Sequence, residues 1–182
     1  MTVRAVSALV RATRFKESPM QSPVPAFARS LRALDHILGK AEAHCEARRI
    51  DPSVLVNDRL APDMHPLRRQ IGMTCDHAKF AAARLSGQEA PRFEDTEQTF
   101  AELRDRVART LAFIESVPEE AFAGAEDKTI TVKAPSREMS FPAPFYLASF
   151  AVPNFYFHMT TAYNILRHNG VDLGKLDFMG AA

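Results

Sequence analysis

The sequence predicts an all-α protein, a four-helix bundle with a small β-hairpin between the third and fourth helices. Four segments of about 20 to 25 residues repeat their apolar side chains at helical spacing. One stretch between the last two segments alternates with period two, as β-strands do. The 182 residues, 46% hydrophobic and 25% charged, suit one globular domain. We therefore expect a single core with no separate cofactor domain.

The first helix is predicted from Pro25 to Arg49. Apolar residues at alternating spacings of four and three form one stripe along it (Phe27, Leu31, Leu34, Leu38, Ala41 and Cys45). Asp51 and Pro52 end this helix, because proline cannot continue the hydrogen-bond ladder. Residues 52–57 are predicted as a short helical turn, and residues 58–62 as a loop.

The second helix is predicted from Met64 or Pro66 to Leu85. Its core face consists of residues spaced three and four apart (Leu67, Ile71, Thr74, Ala78, Ala82 and Leu85). Gly87 follows as a stop signal, because glycine readily adopts the left-handed conformation that ends a helix.

The third helix is expected to begin at Asp95, whose carboxylate can accept hydrogen bonds from the free amides of the first turn. Gln98, three residues later, can complete a capping box. The core face continues to Pro118 (Phe100, Leu103, Val107, Leu111 and Ile114).

A β-hairpin is predicted after the third helix. Residues 128–133 alternate between polar and apolar, residues 134–137 contain a turn signal, and residues 138–141 alternate again. Two such short segments joined by a turn predict paired antiparallel strands.

The fourth helix is predicted from Ala143 to His168, with a bend at Pro153 and a stop at Asn169-Gly170. Residues 141–166 contain no Lys, Arg, Asp or Glu and hold half of the aromatic residues (Phe141, Phe145, Tyr146, Phe150, Phe155, Tyr156, Phe157 and Tyr163). Prolines and polar residues interrupt this stretch, and a histidine at its centre would be costly in hydrocarbon. We expect a helix buried in protein and no membrane span.

The net charge and the number of cysteines indicate which partners and which cellular compartment to expect. A net charge of +1 does not supply the clustered cationic face that nucleic acids require. Two cysteines are too few for a disulfide framework, which predicts a cytoplasmic protein. Residues 1–20 are basic and are expected to be a disordered extension, although a transit peptide, an anionic-surface helix or a translation start at Met20 would also fit. Residues 21–182 are expected to form the bundle.

His158 is the histidine whose position points to chemistry. It lies in the middle of an apolar stripe on the fourth helix, with Asn154 and Thr161 on the same face. A buried imidazole requires a hydrogen-bond acceptor or an ion, so this face holds either a satisfied core histidine or a site. His77 lies about a quarter turn from the centre of the stripe on the second helix, facing inward or at the rim. None of the six histidines lies within four residues of another, so a metal site would need ligands from different helices.

Two weaker features remain open. Arg59 and Asp63 place a guanidinium near a carboxylate, which can bind an anionic ligand or form a structural ion pair in the loop between the first two helices. Cys45 and Cys75 lie on or near core faces with no basic residue beside them, so inert buried thiols are expected.

Three blocks of this sequence are similar to a domain-of-unknown-function branch of the DinB-like (DinB/YfiT) helical-bundle superfamily. They are Arg59-Leu-Ala-Pro-Asp-Met64, Pro153-Asn-Phe-Tyr-Phe-His158 and Leu166-Arg-His-Asn-Gly-Val-Asp-Leu-Gly-Lys-Leu-Asp-Phe178. The resemblance covers about Met20 to Gly180 and implies a four-helix bundle that is commonly a homodimer.

The resemblance also implies a divalent metal held by one histidine on the second helix and two, four residues apart, on the last. Here His158 occupies the second position of that pair, His77 is available on the second helix, and Asn154 stands at the first position. Because an amide is a poor ligand for zinc or nickel, binding of zinc, nickel or manganese is expected to be weakened, altered or lost.

Two functional hypotheses follow. The first is a non-catalytic or ligand-binding bundle with a degenerate metal pocket and an unknown small-molecule ligand. The second is a divalent-metal-dependent transferase or hydrolase acting on a small thiol or a related substrate, with His158 and His77 as ligands and Asn154 as a weak ligand. Asp63 or Tyr163 is then an acid-base candidate, and the pocket candidates as a group are Asp63, Arg59, Thr161 and Tyr163.

The fourth helix also bears on assembly. Tyr156 and Tyr163 point away from the His158 stripe, so this helix is apolar all round and requires cover on two sides. A second copy of the chain in a homodimer would supply that cover, and the hairpin of the same chain is the competing explanation.

Overall fold

The computed structural model describes residues 20–134 and 137–181 and confirms the all-α bundle with one small hairpin. The predicted extension, residues 1–20, lies outside the described residues except for Met20. The helices of the first half are α1 (Val24–Arg48), α2 (Pro52–Asn57), α3 (Leu67–Ser86) and α4 (Phe100–Ser116). The second half contains β1 (Thr129–Ala134), β2 (Arg137–Pro142), α5 (Ala143–Tyr146), α6 (Val152–His168) and α7 (Lys175–Met179).

The second predicted helix, α3, is central to the bundle. It packs against α6 on one side and α4 on the other, while α1 packs against α4. Ala78, Ala81 and Ala82 are fully buried on α3. Their small side chains let the neighbouring helices approach closely, and the α3–α6 contact positions the residues considered below.

Helix α4 begins later than the sequence suggested, and the prediction of an Asp95–Gln98 capping box is wrong. The cap is Thr99, whose hydroxyl accepts from the Glu102 amide while the Glu102 carboxylate accepts from the Thr99 amide. Asp95 instead pairs with Arg69 and Arg106.

The guanidinium of Arg106 explains why Asp95 is engaged elsewhere. Arg106 is fully buried, 2.9 Å from Glu97 and 3.0 Å from Asp76, and it also donates to the Glu94 carbonyl. A buried charge is tolerated only when it is paired in this way. These pairs fasten residues 94–97 onto α3 and α4.

The hairpin forms as predicted and connects to α3. Strands β1 and β2 are antiparallel, with Ile130 opposite Phe141 and Val132 opposite Met139. The ammonium of Lys128, just before β1, donates to the Leu85 carbonyl in the last turn of α3 (2.6 Å).

The irregularity predicted at Pro153 takes the form of a π-helical turn, Leu147–Ala151, between α5 and α6. It lies just before the proline, because Pro153 has no amide hydrogen to donate to the carbonyl of Ser149. In a π-helical turn each carbonyl accepts from the amide five residues later in place of the one four residues later. The missing Pro153 donor is thereby accommodated in an otherwise continuous helix.

The C-terminal helix α7, which the sequence analysis did not predict, packs on α1. Asp177 is 7% exposed and accepts hydrogen bonds from the Gly174 amide, Lys40 and His36 at 2.7, 3.1 and 3.1 Å. The Gly174 amide, followed by the two side chains, lowers the pKa of Asp177 to about 2. Within the described part of the chain, no helix has the length and apolar character needed to cross a membrane.

Candidate histidine site

His77 of α3 and His158 of α6 meet where these two helices pack. Their ring centroids are 5.5 Å apart and their planes differ by 10°. His158 is 7% exposed, and His77 is partly buried at the rim. The structure therefore brings together the two histidines that the sequence analysis selected on separate helices.

A buried amide fixes the orientation and tautomer of His158. The Nε2 of Gln70 donates to the His65 carbonyl (3.0 Å), so the Oε1 of Gln70 faces the imidazole, 2.8 Å from Nδ1 of His158. Because that oxygen can only accept, Nδ1 carries the proton. The Nε2 of a neutral His158 therefore keeps a free lone pair.

Burial keeps both imidazoles neutral at neutral pH. Desolvation, reinforced by the positive charges of His65 and Arg69, lowers the pKa of His158 from 6.5 to about 4. Desolvation and the neighbouring His158 lower the pKa of His77 to about 4 as well. Arg84 acts in the same direction on His77, whereas Asp76 opposes it.

Aromatic rings flank the two histidines on both sides. Phe150 lies 6.1 Å from His77, centroid to centroid. It also stacks with Tyr146 and contacts Phe141 at a tilt. At the other end, Phe157 stands nearly perpendicular to His158 with centroids 5.2 Å apart. Phe157 is 57% exposed. We call His77, His158, Gln70, Phe150 and Phe157 the histidine site.

Asn154 and Thr161 lie about one helical turn on either side of His158, but their polar groups serve the helix. The Asn154 amide donates to the Phe150 carbonyl at the end of the π-helical turn (2.7 Å). The Thr161 hydroxyl donates to the Phe157 carbonyl, also at 2.7 Å.

The other pocket candidates make contacts of their own in the loop before α3 and with α7. The Tyr163 hydroxyl donates to the Leu173 carbonyl (3.4 Å), and the ring packs on Phe178 of α7. Arg59 donates to the Met64 carbonyl within an exposed loop. Asp63 is exposed, and no ion pair joins it to Arg59 in the described residues.

Both cysteines are unpaired and buried. Burial raises the pKa of the Cys75 thiol to about 12 and also raises that of Cys45. Neither thiol is therefore an activated nucleophile.

The donor set at the histidine site does not fit the three-ligand metal centre that the resemblance implies. Zinc sites in proteins use at least three protein ligands. Here two imidazoles are present, and the residue in the third position, Asn154, offers only a neutral amide oxygen, which is a poor ligand for zinc or nickel. Among the residues described, no three His, Cys, Asp or Glu side chains are grouped so that they could hold an ion.

Sequence analysis missed Gln70 and Phe157. Gln70 had a detectable signal, because it lies on the core stripe of α3 between Leu67 and Thr74 and seven residues before His77. A lone amide on an apolar face indicates a polar partner across the core. Phe157 had no such signal, since its neighbours are aromatic as well.

Comparisons with known proteins agree with this architecture. The family model described as Domain of unknown function (DUF1993) matches residues 20–179. The chain is also similar to a DinB family member protein from Shewanella denitrificans of known crystal structure, with 44% sequence identity and a TM-score of 0.81. That similarity covers 87% of this chain and 90% of the other. No protein of curated function matches the sequence.

Proposed function

The chain belongs to the DUF1993 family, a DinB-like branch of helical-bundle proteins, and from this premise we propose that it is a non-catalytic domain whose histidine site binds a small molecule without a divalent metal. The hydrogen bond between Gln70 and His158 is the observation that carries the proposal. It holds one imidazole in a single tautomer and leaves its other nitrogen free as an acceptor. The free Nε2 is the group through which this site would recognise a ligand.

Charge and donor chemistry support the metal-free part of the proposal. Among the charges that act on His158, that of Arg69 is positive, and Asp95 pairs with it. A divalent ion is repelled by positive charge and favours anionic ligands. Asn154, in the remaining ligand position, has a neutral amide oxygen, which is a poor ligand for zinc or nickel.

Metal analysis of the protein, purified without chelator and then titrated with zinc, nickel and manganese, tests the proposal. We expect no stoichiometric metal after dialysis and no change in melting temperature on titration. In parallel, sugars, amino acids, nucleotides, thiols and aromatic compounds are screened by NMR for shifts of the His158 ring resonances. At least one class is expected to shift them.

His158→Ala supplies the decisive variant, with His168→Ala, exposed at the end of α6, as its control. The proposal predicts a loss of stability and of ligand binding in the first variant and neither loss in the second. Near-stoichiometric metal that survives dialysis and disappears in His158→Ala would overturn the proposal.

One observation favours a second candidate, a transferase or hydrolase that uses a divalent metal and acts on a small thiol. With metal–nitrogen bonds of about 2.0–2.1 Å, two imidazoles that share an ion have centroids about 5 Å apart. The 5.5 Å between His77 and His158 approaches that spacing, but their stacked rings would have to turn before both lone pairs could point at one ion. Tightly held metal in the analysis above would favour this candidate and justify thiol-transfer and hydrolase assays.

The proposal also includes a homodimer in a reducing compartment, the cytoplasm. Two buried, unpaired cysteines suit such a compartment. A second copy would cover α7, where Leu176 and Met179 are 62% and 45% exposed. Beside them is a groove of about 160 Å³ against α1 (Ala26, Arg29, Ser30, Tyr156, Phe178 and Met179).

A further inference from the structure

Phe157 stands out among the exposed apolar side chains of the described residues. Five large ones are exposed, Phe157 is the aromatic one among them, and it touches a buried imidazole. It ends a row of contacting rings that starts at the hairpin (Phe145, Phe141, Phe150, His77, His158 and Phe157). A ring left half in water at the end of such a row presents an aromatic face on which another ring can stack.

The spacing of the row decides where a further ring can lie. A planar group placed between His77 and His158 would need two contacts of about 3.5 Å each, more than the 5.5 Å between these centroids. Entry between the imidazoles is therefore excluded. Phe157, which contacts His158, is 57% exposed, so a further ring can stack there.

The free lone pair of His158 adds a polar requirement. Since Gln70 takes the proton of Nδ1, the Nε2 of His158 accepts and does not donate. A ligand that satisfies it must bring an O–H or N–H group. The guanidinium of Arg69, which also pairs with Asp95, acts on His158 electrostatically, and a positive charge there favours donors that are acidic.

Building on the proposed function, we propose that the histidine site recognises a planar aromatic molecule with an acidic ring-attached donor, a phenol or an azole. Its ring stacks on Phe157, and its O–H or N–H donates to Nε2 of His158. Binding requires a hydrogen bond and no transfer of the proton. Arg69 stabilises the partial negative charge on the donor atom.

Three probes of similar size separate the two requirements. 4-Nitrophenol has a planar ring and an acidic O–H, 4-nitroanisole has the same ring with the donor methylated, and cyclohexanol has an O–H without a planar ring. Each is titrated into the full-length protein while the ring resonances of His158 and His77 are followed by NMR. We expect saturable shifts with 4-nitrophenol, and affinities about two- to tenfold lower for each of the other probes, as expected for loss of one hydrogen bond or one aromatic contact.

A variant at the exposed end of the row tests the role of Phe157. Phe157→Leu keeps an apolar side chain at a position whose ring is more than half in solvent, so the fold is retained. We expect 4-nitrophenol to bind about two- to tenfold more weakly to this variant. Val54→Ala, equally exposed on α2 at 57%, is the matched control and is expected to leave affinity unchanged.

The outcomes separate this inference from the proposed function on which it rests. Equal binding of 4-nitroanisole would overturn the donor requirement, and equal binding of cyclohexanol would overturn the aromatic one. If 4-nitrophenol fails while another class of the screen shifts the His158 resonances, this inference is wrong and the proposed function stands. Stoichiometric zinc bound at His158 would overturn the proposed function itself.

Discussion

The chemistry open to His158 is set by one amide. Gln70 is 1% exposed, and its two polar atoms bridge the His65 carbonyl and Nδ1 of His158. The bridge decides which imidazole nitrogen carries the proton. Gln70, which is not itself reactive, thus determines which groups His158 can bind.

Replacing the Gln70 amide should remove the preference of His158 for one neutral tautomer. In Gln70→Met, a variant of similar volume, Nδ1 of His158 loses its acceptor, so we expect a mixture of the two neutral tautomers in place of one. The nitrogen shifts of the imidazole in NMR spectra report this directly. The His65 carbonyl also loses its donor, which should cost about 1–2 kcal/mol of unfolding free energy.

Thr74→Val is the control for that experiment. The Thr74 hydroxyl donates to the main-chain carbonyl of Gln70, so its loss perturbs the same turn of α3 without touching the imidazole. His158 should keep its Nδ1 proton in this variant. A single Nδ1-protonated tautomer in Gln70→Met would contradict the role assigned to the amide.

The two imidazoles should also make stability depend on pH. Their pKa values are lowered from 6.5 to about 4, so between these values the unfolded chain binds more protons than the folded one. The free energy of unfolding should therefore fall as the pH falls from 6.5 to 4. Allowing for solvent screening of the partly exposed His77, we expect a loss on the order of 2–4 kcal/mol for the pair. Urea denaturation at several pH values measures it.

The variant His77→Phe distinguishes the contribution of the imidazoles to the pH dependence of stability from the contribution of carboxylates. Asp177, whose pKa is lowered from 3.8 to about 2, contributes stability that is lost only as the pH falls through that lower window. His77→Phe removes one of the two imidazoles and should reduce the dependence between pH 6.5 and 4 by about half. An unchanged slope in that variant would show that other groups cause it.

At the level of single helices, capping decides where α4 begins. The Thr99 hydroxyl and the Glu102 carboxylate satisfy amides of the first turn from both sides. Thr99→Ala should therefore lower the unfolding free energy by about 1 kcal/mol. Gln98→Ala should leave it unchanged, because the Gln98 side chain takes no part in the cap. Thermal or urea denaturation of both variants measures these effects. A larger loss of stability in Gln98→Ala than in Thr99→Ala would support a helix that begins at Asp95.

Helix periodicity was predictable because it is a local property of the sequence. The core stripes of α1 and α3 matched the observed burial, since spacings of three and four residues alone define a helical face. The first residue of α4 was harder to predict from the sequence. Asp95 and Thr99 are both good caps, and the choice depends on Arg106, a residue whose burial is a tertiary property.

The same distinction applies to the histidine site. His158 was recognisable because one polar residue interrupted an apolar stripe. Its pairing with His77 and Gln70 depends on how α3 and α6 pack, and an amphipathic pattern does not specify which turns of two helices meet. The contact between Tyr163 and Phe178 of α7 was unpredictable for the same reason.

On the scale of the whole molecule, the chain itself covers part of the apolar surface of the fourth predicted helix for which a second copy was expected. The Tyr156 hydroxyl lies 3.2 Å from Ser30 on α1, and Tyr163 packs against α7. Neither the hairpin nor a partner is needed for these two rings. On α7, Leu176 and Met179 remain exposed.

The homodimer is therefore expected to form through α7, away from the histidine site. An interface needs an apolar centre, and a charge placed there without a partner opposes association. In sedimentation equilibrium at micromolar concentration the protein should have twice its 20.3 kDa mass, and Leu176→Glu should reduce it to the mass of one chain. Val54→Glu, which places the same charge on exposed α2, should remain a dimer. A single-chain mass for the unaltered protein would refute the homodimer, whereas a dimer that persists in Leu176→Glu would place its interface on another face.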